Sequence, residues 1–323
     1  MSWQSEIDEL RRREALAREM GGEEKVALQH ERGKLTARER IERLLDGDGF
    51  REIGTISGYA KYDRDGALEE FRPSNFIFGR GRIDGRPVVV AVDDFTVRGG
   101  AADAAIVQKQ IMAEQMAGEL HLPIVRVIDG TGGGGSVKTL DSPVGRTYVP
   151  YNPGWEHVVD NLGTVPVVAL ALGPVAGLGA ARIVSSHYSL MVKGLSQLFV
   201  AGPPLVARVG EEVDKEGLGG SAIHTRNGSV DDEVESEDEA FERTRRFLSY
   251  LPASVFELPA RGPRDDDPDR RDEWLIGAVP RDERKVYKAR PIIESLVDRG
   301  SFFEIGRYYG RCLLYTSPSP RDR

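Results

Sequence analysis

The chain has 323 residues, 40% of them hydrophobic and 30% charged, with a formal net charge of -8 from 44 basic and 52 acidic side chains. That length can bury a large core, and the composition is that of a soluble globular protein rather than a disordered one. The acidic balance offers no general attraction to nucleic acid or to an anionic membrane, and the single cysteine, Cys312, excludes a disulfide framework, a thiolate metal site or a paired redox motif.

The opening residues, MSWQSEIDELRRREALAREM, mix both charges and lack the apolar stretch of a secretory leader, and their acidic residues argue against a transit peptide. A bacterial-type cytoplasm is the expected compartment. Residues 3–46 read as helices broken at Gly21-Gly22 and Gly33, with Ile41, Leu44 and Leu45 on one face. The expectation is a peripheral helical arm, residues 1–50, rather than part of the core.

From about residue 77 apolar strands alternate with helices. Pro87 to Val92, Leu122 to Asp129 and Val165 to Leu172 are continuous apolar runs of the kind covered on both faces. Between the first two, Ile106, Val107, Met112, Met116 and Leu120 recur at helical spacing, which predicts a helix over 101–120 and a layered α/β domain. Asn161 to Ala181 runs 21 residues without a charge, about the length of a membrane span, but Pro166, Pro174 and the glycines after residue 172 favour a buried strand and a tight turn. The acidic run Asp231 to Glu239 reads as a solvated loop or helix entry. Residues 258–288, rich in proline and charge, read as a linker.

An internal repeat organises the end of the chain. Ala37 to Gly54 and Ala289 to Gly306 are identical at ten of eighteen positions, at an offset of 252 residues. Residues 1–257 are therefore expected to form one module and 289–311 the first part of a second. The last residues, CLLYTSPSPRDR at 312–323, show no periodicity and read as an in-frame sequencing adapter rather than as protein sequence.

Two glycine-rich turns carry the candidate chemistry. Asp129 to Ser136, DGTGGGGS, follows a strand and exposes several backbone amides to a ligand oxygen, as an anion or a developing oxyanion requires. Gly130-x-Gly132-x-x-Gly135 matches the dinucleotide fingerprint formally, yet Pro143, Pro150 and Pro153 replace the helix that should follow. A P-loop fails at Val137, where glycine is needed before Lys138-Thr139. A purely structural glycine loop stays open. The second turn, Gly173 to Ala181, starts a helix close to a strand end. Together the two turns could each give one donor to a shared oxyanion hole. The five histidines, at 30, 121, 157, 187 and 224, form no ligand pair, so no metal is expected. Lys109 on the predicted helix reads, by itself, as a solvated lysine.

Read in order, Gly33-Lys34-Leu35-Thr36-Ala37-Arg38-Glu39-Arg40, Asp94-Phe95-Thr96-Val97-x-Gly99-Gly100, Gln108-Lys109, the glycine turn and Gly173-Pro174-x-Ala176-Gly177 resemble the carboxyltransferase β subunit of biotin-dependent acyl-CoA carboxylases. Met191-Val192-Lys193, Gly202-Pro203, Leu218-Gly219-Gly220 with His224, and Leu248 to Pro252 continue the resemblance, which covers residues 4–311. It implies a crotonase-like fold of repeated strand-strand-helix units, with a first half that holds acyl-CoA and a second that receives biotin. It implies transfer of a carboxyl group from carboxybiotin to an acyl-CoA through an enolate held by backbone amides.

Carried over residue by residue, the catalytic positions are Gly132, Gly133, Gly134, Ala176 and Gly177, and the CoA-binding positions are Phe95, Thr96, Gly99, Gly100 and Lys109. The implied cofactor is biotin on a carrier, and the implied partners are a biotin carboxylase, the carrier and further copies of the chain in a hexamer-type assembly. One half of such a site is expected to be inactive alone. Decarboxylation onto biotin in a sodium-pumping complex and a non-catalytic CoA-binding module are the alternatives. The chain departs from the family pattern at the glycine turn itself, at Leu178, where a further glycine is usual, and at Pro204, where Asp is common.

Overall fold

Three helices open the chain: α1 (Gln4–Arg18), α2 (Glu23–Glu31) and α3 (Ala37–Leu44). The edge strand β1 (Arg51–Glu52), the hairpin β2 (Gly58–Tyr62) and β3 (Leu68–Pro73), and the long pair β4 (Phe76–Ile83) and β5 (Arg86–Asp93) follow. Next come α4 (Val107–Leu120), β6 (Ile124–Ile128), α5 (Trp155–Leu162), β7 (Val167–Ala171), β8 (Pro174–Ala176), α6 (Leu178–Val184), β9 (Tyr188–Val192) and β10 (Gln197–Phe199). The short helices α7 (Pro203–Val206), α8 (Lys215–Gly219) and α9 (Ser221–Asn227) lead to β11 (Asp232–Val234), α10 (Glu237–Ser249) and α11 (Ala289–Leu296). The structure, a computed structural model, describes residues 2–47, 49–101, 106–130, 154–262 and 266–310. Gly132, Gly133, Gly134 and the terminal segment 312–323 lie outside the described residues.

Seven strands form one sheet in the order β1-β4-β5-β6-β7-β9-β11. β4 and β5 pair antiparallel through a turn at Asp84-Gly85, both at positive φ, which is the twist a two-residue hairpin needs. From β5 onward the pairing is parallel, with Val89 opposite Ile124 and Ile128 opposite Ala171. The runs expected to be covered on both faces are so within their strands: residues 88–92 of β5 and every residue of β6 and β7 are buried, while Pro87 is exposed. The uncharged run from Asn161 resolves into the end of α5, then β7, β8 and the start of α6, and no helix among the described residues is long and apolar enough to cross a membrane. Beside the sheet, β8 pairs parallel with β10 and holds the chain between β7 and α6 in place.

Two expectations are corrected, and the packed face of the predicted α4 is added. The helical arm is peripheral in α1 and α2, each with one buried residue, but not in α3: Ile41, Leu44 and Leu45 join the main core and Arg40 has no exposed surface, because the amphipathic α3 closes one face of the sheet. In α4 the packed side chains are Ala113 and Ala117, while Met112 and Leu120 are 45% and 46% exposed. Small residues let that helix lie close to β4 and β5, and of the apolar side chains that suggested the helix Met116 packs against the core. The acidic run is a helix entry, with Glu237, Asp238 and Glu239 in the first turn of α10, but it is not solvated throughout. Asp232 is fully buried against Tyr188, Arg243 and Arg307, and Glu237 is buried against Arg40.

The repeat has a structural counterpart. α3 and α11 occupy positions that differ by the same 252 residues, each runs for eight residues, and each stops at an extended residue, Leu45 and Val297, with ψ 163°. The ion pair Arg38–Glu52 at 3.0 Å recurs as Arg290–Glu304 at 2.7 Å, again at the offset positions. Phe303 docks the second copy onto the first module by packing against Tyr188, Phe247 and Tyr250. Residues 258–288 contain, where described, no strand and only one short 3-10 turn, Glu273–Gly277.

Candidate functional site

The ends of parallel strands β5, β6 and β7 point to one side of the sheet, where ligands bind in open α/β folds. After β5 the chain makes a tight turn in which the Asp94 carboxylate accepts from the Thr96 amide at 2.9 Å and the Thr96 hydroxyl at 2.6 Å. Arg98, Gly99 and Gly100 then adopt positive φ in succession, folding the loop back over the end of β6. The approach is so close that a methyl group on Gly100 would meet the Gly130 Cα at 2.6 Å and the Asp129 carbonyl oxygen at 2.7 Å. On the other side, the Ala176 amide donates to the Gly130 carbonyl at 3.2 Å. Gly99-Gly100, Gly130 and Ala176-Gly177, distant in the chain, are thereby brought to one crevice.

Several expected ligands are committed to the scaffold. The amides of Ala176 and Gly177 donate to Gly130 and Phe199, so both residues shape the crevice without a free donor of their own. Any backbone donor from this turn must come from the first turn of α6, where amides lack intrahelical partners. Thr96 is buried, and its hydroxyl accepts from the Gly21 amide at 2.9 Å, tying the arm to the site loop. Phe95 is half-buried, with Lys34 Nζ 4.3 Å above its ring. Lys109 is not a solvated lysine. It is 5% exposed, its Nζ donates to the Gly54 carbonyl at 3.2 Å, and burial pushes its pKa down to about 8 against the opposing pull of Glu52.

Beneath the crevice lies a buried ionic cluster. Asp129, the residue before the glycine turn, accepts from Lys34 Nζ at 2.7 Å, Arg40 Nη1 at 2.8 Å and Gln29 Nε2 at 3.3 Å. Arg40 also donates to both oxygens of Glu237, at 2.7 and 2.9 Å, and to the Leu172 carbonyl at 2.7 Å. Burial opposes the charge on Arg40, but Asp129 and Glu237 outweigh it and hold its pKa above the usual value. For Lys34 burial wins over Asp129, and its pKa is lowered. A methyl on Gly173 would strike the Asp129 carboxylate at 2.0 Å, so glycine there makes room for the cluster. The carboxyl of Asp93, whose oxygen accepts from the Asp129 amide at 3.4 Å, is pushed by burial up to about 6, with Arg182 opposing.

Sequence reasoning did not assign a site role to Lys34, Arg40, Asp129, Glu237 or Arg182. Lys34 and Arg40 lay in the motif Gly33 to Arg40, whose density of charge next to apolar residues was the available signal. Glu237 and Arg182 carry no local signal, since only the fold gives them partners. Among the described residues no group of three or more His, Cys, Asp or Glu is placed to hold a metal ion.

Comparison with known proteins gives one consistent result. Residues 28–316 match the family model described as carboxyl transferase domain. A propionyl-CoA carboxylase carboxyltransferase subunit from Haloferax mediterranei is 33% identical over 317 residues, covering 97% of this chain and 60% of its own length. The methylmalonyl-CoA decarboxylase subunit alpha of Veillonella parvula is 30% identical over 313 residues, with 96% and 60% covered. A solved transcarboxylase 12S hexamer with methylmalonyl-coenzyme A and methylmalonic acid bound superposes with a TM-score of 0.82 at 27% identity, over 96% of this chain and 60% of that one. This chain spans about 60% of the length of these curated relatives. The fold is the crotonase-like one shared by the solved carboxyltransferases.

Proposed function

Since the chain belongs to the carboxyl transferase domain family, we propose that it supplies the acyl-CoA half of a biotin-dependent carboxyltransferase. The observation that carries this reading is the convergence of Gly100, Gly130 and Ala176-Gly177 at the strand ends, where backbone approaches backbone too closely for a side chain on Gly100. Backbone amides suit a thioester because the charge that develops when an α-proton leaves sits on the carbonyl oxygen, where fixed dipoles stabilise it without reorganising. Gly132, Gly133 and Gly134 are proposed to donate to that oxygen, together with the first-turn amides of α6, Leu178 and Gly179. Phe95 and the Gly99-Gly100 turn are proposed to flank the CoA moiety, with Thr96, bonded to the Gly21 amide, and Lys109, bonded to the Gly54 carbonyl, proposed as supports of the surrounding scaffold.

Biotin, on its carrier, supplies or receives the carboxyl group, and no residue described here is assigned to hold it. The proposed partners are the carrier, a biotin carboxylase and further copies of this chain. Transfer in the opposite direction uses the same crevice, and the resemblance to the Veillonella parvula decarboxylase subunit favours keeping it as the second reading over a non-catalytic module. The test is calorimetric titration of the chain with propionyl-CoA, CoA and free propionate. Binding of the thioester, weakened in Gly133→Val and Gly134→Val, is expected; absence of any thioester binding would overturn the proposal.

A further inference from the structure

The strand pair beside the main sheet carries one side of the candidate site. β8 and β10 pair over three residues, Pro174 with Gln197, Val175 with Leu198 and Ala176 with Phe199. At its end this ribbon reaches the glycine turns: the Gly177 amide donates to the Phe199 carbonyl at 3.1 Å, and the Ala176 amide to the Gly130 carbonyl at 3.2 Å. Two strands of three residues have little stability of their own. Whatever holds β10 in place therefore sets where Ala176-Gly177 sits.

The hold comes from Leu218-Gly219-Gly220 with His224, a motif to which the proposed chemistry gives no part. It packs against all three residues of β10. Gly220 forms a backbone bridge with Gln197, whose side-chain amide donates to the Glu216 carboxylate. Gly219 lies so close that a methyl on it would meet the Leu198 carbonyl oxygen at 2.3 Å and the Phe199 ring at 2.7 Å. His224 Nε2 is 2.9 Å from the same Leu198 carbonyl, and since a carbonyl only accepts, the ring proton belongs on Nε2. Nδ1 is then an acceptor, buried and without a hydrogen-bond partner among the described residues. An unmet buried acceptor costs stability, so the bond made by Nε2 is the use to which the fold puts this ring. The helix that carries His224 is itself anchored: in α9 the Ser221 hydroxyl donates to Glu233 of β11 at 2.7 Å, and the His224 carbonyl accepts from the Val230 amide at 3.1 Å.

We infer that His224 is a positioning residue for the thioester site: it fixes β10 through the Leu198 carbonyl, β10 fixes β8, and β8 sets Ala176-Gly177 against Gly130. The inference rests on the proposed acyl-CoA function and adds to it a residue that acts without touching the ligand. Small displacements matter in such a site, because fixed backbone dipoles stabilise a developing charge only at the right distance and angle.

Amide hydrogen exchange on the complete chain reads the effect directly. His224→Ala should speed exchange of the Ala176 and Gly177 amides about fivefold or more, the factor contributed by one ordinary hydrogen bond. His224→Gln keeps a donor of similar reach and should restore most of the protection. His187→Ala is the control, because that ring also holds two backbone groups, the Val167 amide at 3.0 Å and the Leu162 carbonyl at 2.9 Å, but at the far end of β7. It should leave both amides unchanged. With propionyl-CoA labelled with carbon-13 at its carbonyl, the bound resonance should move downfield in the unmodified protein, less so in His224→Ala, and fully again in His224→Gln. Ring nitrogen shifts of the unmodified protein should place the proton on Nε2; a proton on Nδ1 alone would overturn the inference even if no variant folds. Unchanged exchange in His224→Ala, or an equal effect from His187→Ala, would also overturn it and leave the acyl-CoA reading standing. Absence of thioester binding would instead overturn that reading, while the exchange rates still decide whether His224 holds the turn.

Discussion

Replacing Asp129 with Asn removes one negative charge from a cluster in which Lys34 and Arg40 balance Asp129 and Glu237. Asn has the same shape, so the change is electrical rather than steric. Two buried cations then face one carboxylate, Glu237, which binds Arg40 alone among the two. Lys34, whose side chain is 4% exposed, loses its carboxylate partner. Breaking a buried pair from one side costs about 3–5 kcal/mol. An upper limit comes from the lysine itself, which can shed its proton: with an ordinary pKa of 10.5, discharging it at neutral pH costs about 5 kcal/mol. Urea unfolding followed by tryptophan fluorescence should therefore show a loss of about 3–5 kcal/mol at pH 7. That loss should shrink as pH rises towards 10.5, because the unfolded chain then also releases the Lys34 proton. Adding Lys34→Met in the Asp129→Asn background should recover most of the loss, since one cation then faces one carboxylate. A loss below about 1 kcal/mol, or a double variant less stable than Asp129→Asn alone, would refute the argument that charge balance holds this cluster.

Three further outcomes follow from the same structure. Lys109→Met should stabilise the protein by up to about 3 kcal/mol at pH 7, the equivalent of a folded pKa near 8 against 10.5 unfolded. Because the depressed pKa makes the unfolded state bind more protons between those values, the unmodified protein gains stability from pH 8 to 10.5 and the variant should not, so the advantage measured by chemical denaturation should vanish by about pH 10.5. Gly173→Ala places a methyl 2.0 Å from the Asp129 carboxylate and should cost about 1–3 kcal/mol as overpacking; unchanged melting would show that the cluster is looser than described. Glu52→Gln should destabilise more than Glu304→Gln, because the first ion pair is the more buried, with side chains 19% and 10% exposed against 35% and 27%; equal effects in parallel melts would contradict that ranking.

The sequence by itself determined the central strands, the layered α/β class and the 252-residue repeat, because β-branched runs bounded by turn residues and exact residue matches are local signals. It also singled out two glycine turns, of which the second, Gly173 to Ala181, lies beside Gly130 at the end of β6. It did not show that α4 packs through Ala113 and Ala117, and it treated Lys109 and Glu237 as solvated, because a charged residue carries no local mark of the partner that will bury it. Only the tertiary structure decided which charges meet. Lys34, Arg40, Asp129 and Glu237 are spread over about two hundred positions and contact one another because α3, the end of β6 and the start of α10 are packed into one layer.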